Sequence, residues 1–171
     1  MTGVQTCALP ISERWLLALA ARCREAGAAA LFALSYDGRI ECAPADEDDE
    51  SVQRLVNDHQ RHDKGFGPAL GPAATDCAER AFTALGYRVR RDRSDWVLRA
   101  DASQLQLELI DGWARAAIET RPARAASIDA WRARRLAHVA NGRSELRVGH
   151  ADLAAWIPSR TAEPAEYAEK K

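Results

Sequence analysis

The chain has 171 residues, of which 47% are hydrophobic and 29% are charged, and its formal net charge is −1. This composition is typical of a globular protein with room for about one domain of roughly 100–200 residues. The near-neutral balance excludes a whole-molecule attraction to nucleic acid or anionic lipid. No apolar run reaches the ~20 residues of a membrane-spanning helix, and the N-terminus lacks the charged start and apolar centre of a signal peptide.

The four cysteines, at positions 7, 23, 42 and 77, have no CxxC spacing. They indicate free thiols in a reducing compartment rather than a disulfide framework. We therefore expect a cytoplasmic protein without a membrane or nucleic-acid partner.

The N-terminal segment MTGVQTCALPIS differs in style from the Ala- and Arg-rich sequence after it. It resembles the peptide obtained by translating a common sequencing adapter, so residues 1–12 are expected to be non-native. The alternative is a genuine disordered N-terminus. Residues 13–158 form the expected folded body. Residues 159–171 carry few large apolar side chains, which predicts a disordered tail.

The first part of the body predicts a helix over Glu13–Ala26, stopped by Gly27, and a strand over Ala28–Tyr36. Nothing polar interrupts that strand before its end, so both of its faces are expected to be buried inside a parallel sheet. The Asp37-Gly38 pair predicts a tight turn, with Arg39–Ala43 returning as a short hairpin strand.

Helical and strand periodicities continue to the end of the body, without internal repeats or a linker. Asp101 with Gln104 has capping-box spacing, and Ser127 is expected to cap a further helix. The pattern as a whole predicts one α/β domain. Its expected helices are Ser51–Lys64, Ala73–Leu85, Asp101–Thr120 and Ile128–Ala140, and its expected strands are Tyr87–Arg91, Trp96–Leu98 and Leu146–Ile157.

His59, His62 and Asp63 share one side of the predicted second helix. This spacing suits a metal or a proton-transfer pair, an exposed polar helix end, or a substrate-facing role beside the loop that follows. Because a third firm ligand is missing, no metal site is expected.

The loop that follows, GFGPALGP over Gly65–Pro72, is a poor match to a phosphate-binding glycine loop. It follows a helix rather than a strand, and Pro68 removes an amide donor. A rigid loop that closes over a small molecule is the expected alternative.

Two kinds of charge run have an ordinary interpretation. The acidic run Ala45–Glu50 is typical of a solvated loop before a helix start, since it lacks the ligand spacing and glycine of a calcium loop. The arginines at positions 88, 90, 91 and 93, and at 132, 134 and 135, have no interleaved aromatic residues. They are expected to be solvated faces rather than an RNA-binding surface.

Four segments carry a longer resemblance: ALFALSYDGRI (Ala30–Ile40), VNDHQRHDKGFGPALGPAA (Val56–Ala74), LGYRVRRDRSDWVL (Leu85–Leu98) and VGHADLAAW (Val148–Trp156). With them the body resembles the C-terminal half of a bacterial class I S-adenosylmethionine-dependent methyltransferase. That resemblance implies a Rossmann-like doubly wound sheet, truncated before strand five. Ala28–Tyr36 would be strand five, Tyr87–Arg91 strand six, and Leu146–Ile157 the inserted, antiparallel strand seven.

The family binds its methyl donor through a glycine-rich turn after strand one and an acidic residue after strand two. This sequence contains neither. The resemblance therefore implies a transferase fragment that does not bind S-adenosylmethionine and is inactive alone, and its cofactor-binding residues are unknown.

The resemblance leaves the substrate side of a methyltransferase for a small-molecule acceptor. His59 and Asp63 are the candidate catalytic residues, which would orient or deprotonate the acceptor. The candidate substrate-binding residues are Tyr36, Asp37, Lys64, Phe66, Gly67 and Pro68. The alternative is a small non-enzymatic α/β binding or interaction module. The acceptor, the methylated atom and the oligomeric state are open.

Overall fold

The computed structural model describes residues 11–63 and 68–158. That part of the chain contains five α-helices and four strands. In chain order they are α1 (Glu13–Ala26), β1 (Ala30–Ala43), α2 (Asp49–Arg61), α3 (Ala74–Ala84), β2 (Arg88–Arg93), β3 (Trp96–Leu98), α4 (Ser103–Thr120), α5 (Ala125–Ala140) and β4 (Glu145–Trp156).

The strands form one open sheet in the order β1-β4-β2, and β3 also pairs with β4. Every pairing is antiparallel, so β1 and β2 run in the same direction on either side of β4. The fold is therefore mixed α/β with a four-stranded antiparallel sheet. A doubly wound parallel sheet is not shown by this arrangement.

Local signals explain where the first helix begins and ends. The Ser12 hydroxyl accepts a hydrogen bond from the Trp15 amide at 3.3 Å, and Gly27 ends α1 in the left-handed conformation at φ 64°.

The two helix caps predicted from the sequence, at Asp101 and at Ser127, are wrong. Helix α4 begins at Ser103 without a side-chain cap, and α5 begins at Ala125, before Ser127. Short 3₁₀ turns lead into both helices, which moves their starts away from the expected caps.

Two hydrophobic cores lie on opposite faces of the sheet. On face A, Leu153 and Ala155 of β4 pack with Leu16 of α1 and Phe82 of α3. On face B, Leu146 and Val148 of β4 pack with α2, α4 and α5. Because neighbouring residues of β4 point to opposite faces, one strand contributes to both cores.

The prediction for the first strand is wrong in two respects. Ala30–Ala43 is one long strand with irregularities in its register, rather than a hairpin folded at Asp37-Gly38. Its first half is also not buried on both faces, since 73% of Leu31 is exposed. The strand lies at the sheet edge, and no helix among the described residues covers face B there, so an apolar run was a poor guide to burial.

The acidic run and the second arginine cluster, expected to be independent solvated faces, bind each other. Arg134 donates to both carboxylate oxygens of Asp46, at 2.6 and 2.8 Å, and to Asp48 at 2.9 Å. Arg135 is fully buried and donates to Asp49 and to the Pro44 carbonyl. These bonds join the start of α2 to α5.

No helix within residues 11–63 and 68–158 is long and apolar enough to cross a bilayer. Cys23, Cys42 and Cys77 are free thiols. Burial, followed by the nearby Asp49 carboxylate, raises the pKa of Cys42 to about 12.

Replacing Arg135 with methionine is expected to lower the free energy of unfolding by about 3–5 kcal/mol, because the Asp49 carboxylate loses its buried partner. Urea denaturation measures the change. The matched control is Arg132→Met on the same helix. The side chains of Arg132 and Asp111, which form an ion pair, are each 41% exposed. Arg132→Met should therefore lower the free energy of unfolding by less than about 1 kcal/mol. Equal losses in the two variants would contradict the assigned role of Arg135.

The Asp46–Arg134 pair makes stability depend on acid pH. The hydrogen bond from Arg134 lowers the pKa of Asp46 from 3.8 to about 2. Because the folded-state pKa is the lower one, this contribution is complete above pH 3.8 and is lost as the pH falls toward 2. The melting temperature of Asp46→Asn should therefore fall less steeply across that interval than that of the unmodified chain. Parallel curves would refute the assignment.

Candidate functional site

The predicted substrate residue Tyr36 lies on face B of the sheet. Its hydroxyl donates to the Asn57 side-chain oxygen of α2 at 2.9 Å, and its ring contacts the His150 ring edge-on. The Asn57 amide in turn donates to the Gly38 carbonyl at 2.9 Å. Burial, followed by the neighbouring Asp37 charge, raises the pKa of Tyr36 well above its ordinary value. Tyr36 is therefore a neutral hydroxyl held by α2.

Asp37, the second predicted substrate residue, belongs to an ion-pair cluster with Arg39 and Asp95. The Arg39 guanidinium donates to Asp37 at 2.6 Å and to Asp95 at 2.8 Å. The two carboxylates are only 12% and 11% exposed. The Arg39 hydrogen bond keeps the pKa of Asp95 below its usual range. Asp95 also accepts the His150 backbone amide at 3.2 Å, which fastens the cluster to β4.

The Asp37 carboxylate sits against the backbone of Gly149. A Cβ atom at position 149 would collide with the Asp37 oxygen and with the Arg39 side chain. The cluster borders a cavity of about 460 Å³ on face A, lined by Asp37, Arg39, Arg91, Asp92, Arg93 and Ala151. Of the predicted site residues with described positions, Asp37 is the one that lines it. A cavity of this size suits a small polar molecule.

The predicted catalytic residue His59 lies on another side of α2. Its Nε2 is 2.8 Å from the Glu119 carboxylate of α4, and its ring is close to that of His62. Side chains two positions apart in an α-helix point in directions about 200° apart. His59 and Asn57, the partner of Tyr36, therefore point away from each other. The structure therefore does not bring His59 together with Tyr36 and Asp37. It brings His59 together with a carboxylate that orients its ring.

The remaining predicted residues are only partly described. Lys64, Phe66 and Gly67 lie outside the described residues, Asp63 ends the first described segment, and Pro68 begins the second and is exposed. The 3₁₀ turn Gly71–Ala73 packs on β1, where Pro72 approaches Gly38. The end of the glycine-rich segment thus lies beside Gly38 of β1. Within residues 11–63 and 68–158, no three His, Cys, Asp or Glu side chains form a potential metal site.

Sequence reasoning missed most partners of the predicted residues. Asn57 and His150 lie 21 and 114 positions after Tyr36, and Glu119 lies 60 positions after His59. Asp95, which joins the Asp37 cluster through Arg39, lies 56 positions after Arg39. No local spacing connects such positions. The partner Arg39 could have been predicted from the sequence, because it lies two residues after Asp37 in the same strand and the two side chains pair.

No family model, no curated protein and no solved structure matches the chain.

The variant Gly149→Ala is expected to destabilise the protein by about 1–3 kcal/mol, because its Cβ displaces the Asp37–Arg39 pair. Gly112→Ala in α4 is the matched control. Nothing lies within 4 Å of its added Cβ, and alanine favours a helix by up to about 1 kcal/mol, so its stability should rise. Chemical denaturation compares the two variants. A neutral Gly149→Ala would mean that the carboxylate and β4 are not in close contact.

Proposed function

We propose that this chain is the acceptor-side half of an S-adenosylmethionine-dependent methyltransferase that acts on a small molecule, and that it is inactive by itself. The carrying observation is the strand order β1-β4-β2, with the last strand inserted antiparallel between two strands of common direction. Strands five, seven and six of the resembled family have this arrangement. This agreement is in the order of the strands. The four sequence segments that carry the resemblance do not by themselves specify that order, so the agreement is a separate observation.

The handedness of strand connections supports a further strand at the outer edge of β1. Helix α3 lies in the connection from β1 to β2 and packs on face A, as does α1. Nearly all such crossovers are right-handed. Two successive crossovers whose helices lie on the same face of the sheet therefore add their strands in the same direction across the sheet. A parallel strand joined to β1 through α1 would therefore lie on the side of β1 away from β4. Within the described residues, β1 has no partner on that side.

Exposed apolar side chains also support a missing neighbour at this edge. In the described part of the chain, the exposed large hydrophobic residues all belong to α1, β1 or the end of β4. They are Trp15, Leu17, Leu31, Leu34 and Trp156. Covering exposed apolar surface is favourable by about 25 cal/mol per Å². A donor-binding half of the sheet beside β1 would cover the exposed residues of α1 and β1.

The described residues do not fit S-adenosylmethionine itself. In the doubly wound folds that hold such a cofactor, a strand is followed by a glycine-rich turn into a helix N-terminus. No strand within residues 11–63 and 68–158 is followed by such a turn. We therefore assign no part of donor binding to this part of the chain.

The acceptor side is where these residues would act. Methyl transfer from a sulfonium requires an acceptor held in line and protected from water, so positioning supplies much of the rate. Asp37 would line one candidate acceptor cavity, on face A, and Tyr36 would fix the adjoining stretch of β1 to α2. His59, oriented by Glu119, would serve as the base for an acceptor at the C-terminal end of α2, with Asp63 beside it and with Lys64, Phe66, Gly67 and Pro68 as its wall. Because α2 packs on face B, this second location is separate from the Asp37 cavity. The free thiols favour a reducing compartment, and we place the protein in the cytoplasm.

The genomic DNA upstream of the Glu13 codon tests the proposal. It should continue in frame and encode a strand, a glycine-rich turn and an acidic residue after the next strand. The complete reading frame, incubated with radiolabelled S-adenosylmethionine and a panel of small acceptors, should transfer the label. An in-frame start codon directly upstream of the Glu13 codon, in place of that coding sequence, would overturn the proposal in favour of a binding module.

In that complete protein, His59→Ala should lower kcat/KM by about 10²–10⁴-fold, the usual contribution of a general base. His62→Ala is the matched control, because His62 lies at the same helix end, is exposed and does not contact Glu119 in the described structure. It should leave kcat/KM unchanged. Unchanged turnover in His59→Ala would remove His59 from the site without affecting the donor-half assignment.

A further inference from the structure

Leu34 has a backbone conformation that leucine rarely adopts. Its φ angle is 52°, which makes it the one non-glycine residue of positive φ in the described chain. A left-handed conformation is unfavourable for a residue with a Cβ atom, because this atom comes too close to the following carbonyl oxygen. Leu34 is also half exposed, so burial of its side chain does not explain the conformation. Some other interaction must hold it.

Leu34 belongs to a one-residue bulge in β1. Phe32 pairs with Leu153 and Ser35 pairs with Ala151, so three steps along β1 match two steps along β4. Because side chains alternate between faces, one extra residue exchanges the faces for every later position. Phe32 lies on face A, whereas Tyr36 and Ile40 lie on face B. Without the bulge, Tyr36 would face α1 and α3, and Asp37 would face α2.

Two polar side chains hold the bulge. The Leu34 amide donates to Asp152 Oδ1 of β4 at 2.7 Å. The same oxygen accepts the Ser94 hydroxyl, from the segment after β2, at 2.8 Å, and the Ser94 amide donates to the His150 carbonyl at 3.0 Å. One carboxylate oxygen thus joins β1, β4 and the end of β2.

We propose that Asp152 is a positioning residue for the acceptor site. Its hydrogen bond to the Leu34 amide holds the bulge, and the bulge directs Tyr36 toward α2 and Asp37 toward the cavity. The link to an acceptor rests on the proposed methyltransferase function. The effect on side-chain direction does not, because it follows from the register of β1 against β4 alone.

The first test measures side-chain direction in the present chain by NMR. In the unmodified chain, nuclear Overhauser effects should join the rings of Tyr36 and His150, whose centroids are 6.2 Å apart. Asp152→Asn should retain them, since an amide oxygen accepts both hydrogen bonds. Asp152→Ala should lose them and should speed exchange of the Leu34 amide by at least tenfold.

A double variant keeps the test decisive if Asp152→Ala is poorly folded. Glycine adopts positive φ without a Cβ penalty, so Leu34→Gly in the Asp152→Ala chain should restore the Tyr36–His150 contact. Asp129→Ala, an exposed carboxylate of α5, is the control for removing a charge and should change nothing. Retention of the ring contact and of slow Leu34 exchange in Asp152→Ala would overturn the proposal.

The second test uses the complete reading frame. Asp152→Ala should raise the KM for the acceptor by tenfold or more while the affinity for S-adenosylmethionine is unchanged, and Asp152→Asn should restore the KM. A complete protein without methyl transfer would refute the proposed function, whereas the NMR result would still stand. Transfer with an unchanged acceptor KM in Asp152→Ala would refute the positioning role alone.

Discussion

The one-residue bulge at Leu34 in β1 determines how the two halves of this fold fit together, since the second register shift, between Tyr36 and Ile40, adds two residues and leaves the alternation of faces unchanged. Before the bulge at Leu34, the even-numbered side chains of β1 join the core of α1 and α3; after it, they join the core of α2, α4 and α5. A strand with regular alternation would place Ile40 and Cys42 on face A, away from the core that they form with α2, α4 and α5. The conformational cost at Leu34 is offset by the hydrogen bond to Asp152 and by the burial of these later side chains.

The second half of the fold depends on charges that cancel across long sequence distances. Asp49 accepts hydrogen bonds from the Trp131 indole at 2.8 Å and from the buried Arg135. Removing a guanidinium from water is costly unless its charge is balanced, and Asp49 provides that balance. The acidic run is therefore the partner that allows α5 to pack with an arginine inside, rather than a solvated loop.

The sequence predicted helices and their apolar sides well, because a 3.6-residue period in mixed sequence shows which side is buried. The stop at Gly27 agrees with the structure. The run AAALFALSY carried no such information. It has no polar residue before Ser35 to mark a phase, so neither the bulge nor the exposed face could be predicted from it. Tyr36 and Asp37 remain predictions as site residues; the structure places their side chains on opposite faces of the sheet, and the partners of Tyr36 on α2 and β4 could not be found from local spacing.

The two edges of the sheet differ in a way that bears on what lies beside them. At one edge, β2 reads RVRRDR, and five of its six residues are charged. Such an edge resists pairing with another strand, because the approaching chain would have to desolvate those charges. At the other edge, residues 30–35 of β1 carry no charge and leave backbone groups without a partner in the described structure. An unprotected apolar edge is a liability in a free protein, whereas it is the ordinary state of a strand inside a larger sheet. The contrast within one sheet therefore makes pairing with another strand more favourable at β1 than at β2.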